Sequence, residues 1–327
     1  MTVTGERRLS GWKVAAVLVT AVAVNASDYS FLVPLQQLRI DTHRSIIEGQ
    51  APAPRQHQIL VPYILEPPIR LLAEVMPPDK ALTRVYAAYH LAALTLLLAT
   101  LFIYLGVWFS AAQALAGALV VGSAIRIALR PGEYWDMSSI PLSSVFAPAS
   151  LLEPAFIALG LLLIHADRRW LLAGLIAIAA ANSEAAALLP LLFVATRPLT
   201  RDRIAAALGY LATWGAVSLA VRLAVGGAAV PPAIGPALSV NLEHLPSLAI
   251  NLALFLGLFC LLIPFGWRRT PEFARRAMFA VPLYLMAVAA WGYWWDVRNL
   301  TPLYPILLPP ALAALFQPRA DSPLRGS

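Results

Sequence analysis

Charged side chains are scarce in this chain: only 13% of its 327 residues are Asp, Glu, Lys or Arg, against roughly 25% in an ordinary soluble domain. So few charges cannot cover the surface of a water-soluble fold of this size. Lysine is confined to Lys13 and Lys80. Cysteine occurs once, as Cys260 inside an apolar run, so no disulfide can form within the chain. There is no paired His/Cys spacing of a zinc site, no glycine loop to cradle phosphate and no serine elbow. No metal or cofactor is therefore assigned, and any metal requirement is left open. The formal charge of +7 invites a nucleic-acid reading. The basic stripe with interleaved aromatics which that reading needs is missing.

What is present is hydrophobic length. Apolar residues make up 60% of the chain, and the mean hydropathy is +0.72. A membrane span takes about 20 mainly apolar residues. Reading in that window predicts segments near 12–26, 84–108, 110–129, 146–164, 170–196, 204–225, 246–266, 277–295 and 300–316. All are expected to be helical, because backbone groups in lipid must be satisfied within the segment and no alternating barrel pattern occurs. Arg7, Arg8 and Lys13 precede an apolar stretch ending Val24-Asn25-Ala26, which has the form of a signal peptide. It is read as an uncleaved first helix, because apolar character resumes at Phe31-Leu32-Val33. With neither tandem repeat nor low-complexity linker, residues 1–327 read as a single membrane domain.

Orientation follows from the basic residues. They cluster at Arg7 to Lys13, His165 to Arg169, Arg197 to Arg203, Trp267 to Arg276, and Arg319 with Arg325. All five share the cytoplasmic side only if residues 170–196 cross an even number of times. That stretch is too short for two full spans at about 1.5 Å per residue, but Asn182-Ser183-Glu184 interrupts its middle. It is therefore read as two short helices, 170–181 and 184–196, forming a re-entrant-like pair. The total becomes about ten hydrophobic helices, with both termini cytoplasmic. Residues 27–83 become a long first extracytoplasmic loop, joined outside by Arg130 to Asp136, the loop 226–245 and the turn Asp296 to Asn299.

That first loop is the most informative stretch. Ile40, Ile46 and Ile47, set between polar residues, predict an interfacial helix ended by Gly49. Prolines then force an extended turn before a second, Pro-broken helix from Ile59. The phrase from Glu48 to Pro62, Glu-Gly-Gln-Ala-Pro-Ala-Pro-Arg-Gln-His-Gln-Ile-Leu-Val-Pro, is similar to one recurring in bacterial multi-pass proteins of the GT-C glycosyltransferase fold. The layout of a first helix, an outer loop with acidic residues, short amphipathic helices and many spans also resembles that fold. Two further family motifs match in part, with Asn182-Ser183-Glu184 standing for Asn-Arg-Glu and Asp296-Val297-Arg298 for Glu-x-Arg.

The resemblance implies an all-α GT-C-like membrane glycosyltransferase that takes a sugar from a polyprenyl-phosphate donor on the outer face. Its partners would be membrane lipids and that lipid-linked donor, with no nucleic acid. Such a reaction needs a carboxylate to deprotonate the acceptor hydroxyl and cations to hold the donor phosphate. Asp28, just after the first helix, takes the usual place of the base, and Asp41 is the second candidate. Either could simply cap a helix or sit in solvent. Arg44, Arg55 and His57 are the phosphate binders, since arginine offers paired donors to phosphate oxygens; contact with lipid headgroups is the plainer alternative. Arg126 and Arg130, four apart, share a helix face. Glu184, a carboxylate at a break within an apolar run, joins the substrate set, as does Arg298, while Glu153 near a span end reads as interfacial. His90 reads as a buried hydrogen-bonding histidine. The loop carrying Asp28, Asp41, Arg44, Arg55 and His57 is expected to fold over the helix ends and meet Glu184 and Arg298 around one cavity. A transporter or flippase of a lipid-linked or anionic substrate, with its site at the broken helix, is the alternative; a non-catalytic membrane-complex subunit is another.

Overall fold

A computed structural model describes residues 14–23, 36–51, 55–128, 148–198, 200–225, 256–291 and 297–319, with isolated positions 242 and 253. Asp28, Asp296, the segment 130–136, the loop 226–245 apart from position 242, and both termini lie outside the described residues, as do the side chains of Arg55, Arg126 and Arg298. Every described element is helical. In chain order the α-helices are α1 (Val14–Ala23), α2 (Gln36–Ile47), α3 (Leu60–Ala73), α4 (Pro78–Leu105), α5 (Ala111–Ala128), α6 (Leu152–His165), α7 (Arg169–Asn182), α8 (Leu188–Thr196), α9 (Arg201–Val225), α10 (Gly257–Gly266), α11 (Glu272–Ala277), α12 (Ala280–Trp291) and α13 (Tyr304–Leu315). Short 3-10 turns at Arg55–His57, Pro148–Leu151, Glu184–Ala187 and Val297–Leu303 link several of them.

The described residues do not fit a count of about ten spans. Among the described residues, three stretches are long and apolar enough to cross a membrane by length and composition: α4 (Pro78–Leu105), α9 (Arg201–Val225) and the run Glu272–Ala290, which joins α11 to α12. The other apolar helices have 10–17 residues, and at about 1.5 Å per residue a 14-residue helix covers only about 21 Å, short of a hydrocarbon core of about 30 Å. Apolar runs overstated helix length because polar or Pro-containing turns cut into them. The run 146–164 begins in a 3-10 turn and becomes helical at Leu152. Conversely, α4 starts at Pro78 rather than 84: Pro77 is extended and Pro78 opens the helix, where a missing N–H costs nothing.

The core gathers on α4, α5, α6 and α13. Leu94, Leu97, Leu98, Leu101 and Leu105, at helical spacing on α4, are buried there with Leu161 of α6 and Ile306 and Leu308 of α13. By contrast, α9 leaves Leu208, Leu211, Leu219 and Leu223 exposed. A smaller separate core joins Ile40 of α2, Val61, Leu65 and Ile69 of α3, and Leu82, Val85 and Tyr86 of α4. It holds the first-loop helices against the start of the longest helix.

Residues 169–196 double back. Helix α7 ends at Asn182, Ser183 is extended (φ −165°, ψ 151°), and its Oγ accepts a hydrogen bond from the Ala185 N–H at 3.2 Å to start the 3-10 turn. Leu175 on the outgoing arm and Leu189 on the returning arm both approach Gly160 of α6, where a methyl group would overlap Leu189. The two leucines sit at equal distances in sequence from the apex, as a hairpin wedged by α6 requires. At its base, the Arg197 guanidinium donates to the carbonyls of Ile164 and of His165, the latter at 2.9 Å. Positions 165 and 197 therefore lie at one level.

The same end collects the other described basic clusters. His165 and Phe273 rings meet edge-on at 5.0 Å, Trp108 lies 5.4 Å from His165 and stacks on Phe273 at 5.9 Å, and the Arg319 N–H bonds the Trp108 carbonyl at 2.7 Å. His165–Arg169, Arg197–Arg203, Trp267–Arg276 and Arg319 thus share one end of the bundle with the α4–α5 turn. The hairpin apex, the first-loop helices and Val297–Leu303, which packs on Pro148–Leu151 and α6, form the other.

Candidate functional site

Two polar groupings occupy the end opposite the basic clusters. The first forms around the hairpin apex. Glu184, which opens the 3-10 turn, makes an ion pair with Arg222 near the C-terminal end of α9. An arginine in an apolar helix is costly unless it meets an anion or water, and Glu184, 38 positions away, supplies the anion. The 3-10 turn Arg55–His57 packs on the same helix. The His57 imidazole is within electrostatic reach of both Arg222 and Glu184. Burial pushes its pKa below the ordinary 6.5, Arg222 pushes the same way, and Glu184 opposes. The ring is therefore neutral at neutral pH.

Gln56, beside it, is only 2% exposed, and neither its Oε1 nor its Nε2 has a hydrogen-bond partner; His57 Nδ1 is likewise buried and unpartnered. Fully unpaired buried amides are rare, because each unmet polar atom costs about 1–3 kcal/mol. The place of this amide is fixed by Gly49. That residue ends α2 at φ +72°, a conformation side chains resist. A methyl placed there would touch Gln56 Nε2 at 3.6 Å and the Val225 carbonyl oxygen at 3.5 Å. The Gln56 amide thus lies between the end of α2 and the end of α9, one turn beyond Arg222. On the other side of the apex, a cleft with room for about one water molecule is lined by Glu153, Asn182, Ser183 and apolar neighbours.

The second grouping sits under the first-loop helices. His43 is almost fully buried between Tyr86 Oη, 3.0 Å from Nδ1, and Glu66 Oε2, 2.8 Å from Nε2. A carboxylate only accepts, so Nε2 carries a proton and donates it to Glu66, while Nδ1 and the tyrosine hydroxyl share the other hydrogen bond. Arg70 donates to the other Glu66 oxygen at 2.5 Å, and the buried Arg39 guanidinium lies 5.6 Å above the Tyr86 ring. Burial raises the Glu66 pKa, but hydrogen bonds from His43 and Arg70 outweigh it and leave the carboxyl below its ordinary 4.5.

Of the residues singled out from sequence, the structure brings His57 and Glu184 together. Asp41 and Arg44 lie on the exposed face of α2: Asp41 accepts from Gln37 at 2.9 Å, and Arg44 pairs with Asp79 at 3.1 Å. Arg55 is in the 3-10 turn beside Gln56 and His57, and Arg298 in the turn Val297–Leu303. Tyr284 anchors the latter by donating to the Asn299 carbonyl at 2.8 Å. Among the described residues no three His, Cys, Asp or Glu side chains converge as a metal site would need.

Sequence reading missed Arg39, His43, Gln56, Glu66 and Arg222. Two signals were available. Arg39 and His43 fall at helical spacing on the stripe of Ile40 and Ile46, so they are buried with it. Arg222 interrupts an apolar span and demands a partner. Gln56 carries no such mark, because an amide between prolines reads as loop. Compared with protein-family models, curated proteins and solved structures, the chain has no significant match.

Proposed function

We propose that this protein is a membrane glycosyltransferase that moves a sugar from a polyprenyl-phosphate donor to an acceptor on the extracytoplasmic face of a bacterial inner membrane. The observation that carries this reading is the division of polar groups between the two ends. The described basic clusters gather at one end, as the positive-inside rule asks of a cytoplasmic face. At the other, His57, Gln56, Glu184 and Arg222 assemble under a folded first loop. A GT-C-like layout places its chemistry there. Asp28, or failing it Asp41, would take the acceptor's proton, and arginines of the first loop and Arg298 would hold the donor phosphate.

The test is transfer in liposomes containing polyprenyl-phosphate sugars and purified full-length protein. Sugar transfer to an added acceptor is expected, with Asp28→Asn lowering the rate by about 10²–10⁴-fold while the variant still unfolds cooperatively. Transfer from no lipid-linked sugar by the wild type sinks the proposal; an unchanged rate in Asp28→Asn moves the base to Asp41.

A second reading, a transporter or flippase, draws on the hairpin. Its outgoing arm covers only about 21 Å, so an ion pair at its tip is placed where broken-helix transporters bind substrate or ions. Movement of a fluorescent lipid-linked sugar across the same liposomes without covalent transfer would favour it.

A further inference from the structure

We propose that the surface where the start of α7 meets the start of α9, at the basic end of the bundle, binds an anionic phospholipid of the membrane leaflet on that side. It lies at the opposite end from the proposed transfer chemistry and does not depend on that reading.

Positive charge is concentrated there. The turns Asp167 to Arg169 and Arg197 to Arg203 carry five arginines against two aspartates, and the fold brings the two turns together. The Tyr210 hydroxyl of α9 donates to the Arg169 carbonyl at 3.3 Å, and Asp167, Arg203 and Arg169 all lie within electrostatic reach of Arg197. Burial lowers the Arg197 pKa from its ordinary 12.5; Asp167 opposes, and Arg203 and Arg169 add to the lowering. Asp167 is taken by Arg169 at 3.4 Å, and the Arg197 guanidinium by the last carbonyls of α6. Arg168 and Arg201 are exposed and make no ion pair among the described residues. Such a surplus draws anions at a membrane surface, and arginine meets a phosphate with paired donors.

The adjoining surface selects the kind of anion. Directly after Arg168 and Arg169, Trp170 is 91% exposed, and an indole beside arginines is suited to headgroup depth. From there Leu171, Gly174 and Ile178 fall at i, i+3 and i+7 on one exposed face of α7. A methyl placed on Gly174 would meet no atom within 4 Å. Leu208 and Leu211 of the adjoining α9 are exposed as well. An apolar lane thus runs from the arginines towards the hairpin apex. A free phosphate or an acidic peptide would use the arginines and leave the lane uncovered. A phospholipid uses both, with its phosphate on the arginines and an acyl chain along Leu171, Gly174 and Ile178. The unbalanced positive charge favours an anionic headgroup over a zwitterionic one, whose ammonium the arginines repel.

Native mass spectrometry of the full-length protein in detergent, titrated with phosphatidylglycerol or with phosphatidylcholine of the same acyl chains, measures the two affinities. Wild type is expected to bind phosphatidylglycerol at least about fivefold more tightly, the effect of one basic residue at an anionic surface. Arg168→Gln and Arg203→Gln should each weaken phosphatidylglycerol by about that factor and leave phosphatidylcholine within about twofold. Arg168→Lys, which keeps the charge, should retain most of the affinity, and this separates lost charge from lost structure. Gly174→Leu, which fills the lane with a side chain that meets no neighbour, should weaken both lipids. Arg44→Gln, at the other end, should change neither. Equal affinity of the wild type for the two lipids would overturn the site, as would phosphatidylglycerol binding that neither arginine change moves. Displacement of bound phosphatidylglycerol by an equal concentration of glycerol phosphate would overturn the lipid in favour of a free anion. Sugar transfer in liposomes, on which the glycosyltransferase reading rests, is read separately from all of these.

Discussion

The two ends of the bundle use similar residue types in opposite ways. At the basic end, polar and aromatic groups close the structure on itself. Arg197 satisfies the last carbonyls of α6, the Arg319 N–H bonds the Trp108 carbonyl, and Trp108, His165 and Phe273 pack ring against ring. At the opposite end a buried amide has no partner for either of its atoms and an ion pair stays open to solvent, although the Tyr104 hydroxyl at the basic end is also buried without a partner. That end is itself divided. Around His43 the hydrogen bonds run from Tyr86 through the imidazole to Glu66 and Arg70; around Gln56 they stop. A network whose ends are met stabilises, whereas a buried polar atom left unmet is costly.

The largest effect that would break the comparison concerns which end faces which side. In a Cys260→Ala background, a cysteine at Ser45 is expected to react fully with an impermeant maleimide added outside, and one at Ser322 only after the membrane is opened. The reverse pattern would put the basic end outside and remove the basis for an outward-facing site.

Next in size is the closed network. His43→Leu removes the bridge between α2, α3 and α4 and leaves the Glu66 and Tyr86 polar groups short of a partner. A loss of about 1–3 kcal/mol of stability is expected, seen as a lower thermal midpoint in detergent. His57→Leu, at the open grouping, should change stability far less. Equal losses would mean that the two groupings are built alike.

Acid should separate the two groupings. A histidine with a lowered folded pKa adds stability that is complete above its ordinary value of 6.5. Below that pH the unfolded chain takes up the proton first, so stability falls as pH drops from 6.5 towards the folded value. Glu66, lowered from 4.5, contributes fully above pH 4.5 and loses its contribution as pH falls from there through its folded pKa. Thermal midpoints measured against pH should therefore decline in two stages. His57→Gln is expected to shrink the stage that begins near 6.5, and Glu66→Gln the one that begins near 4.5. A single stage unaffected by either change would refute the assignment.

The smallest effect belongs to Arg44. Its pair with Asp79 has both partners more than half exposed, and such pairs contribute about 0–1 kcal/mol. Arg44→Ala should leave the midpoint nearly unchanged and binding of a short prenyl phosphate close to wild type. A large loss of prenyl phosphate binding would return Arg44 to the ligand set.

How much of this was legible in the chain depends on the range of the interaction concerned. Scarce charge and long apolar runs determine an all-helical protein, because only helices satisfy so much backbone within apolar segments. The Asn182-Ser183-Glu184 interruption and the basic residues on either side of it were enough to predict a reversal, since charge that shares one face forces an even number of passes. Helix lengths were less legible: hydropathy counts apolar residues without registering where a 3-10 turn cuts the helix, so where about ten spans were expected, three of full length stand among the described residues. Face is a local property too, and the stripe of Ile40 and Ile46 already carried Arg39 and His43 inward. Partnership is not local. Glu184 meets Arg222, His43 meets Glu66 and Tyr86, and Gln56 is set beside Val225 only because α6 and α9 hold the hairpin open and the small core of α2, α3 and α4 folds the first loop over the helix ends. Those pairs are separated by 23 to 169 positions, and a burial stripe or a charge count fixes which side of a helix a residue takes, not which residue waits there.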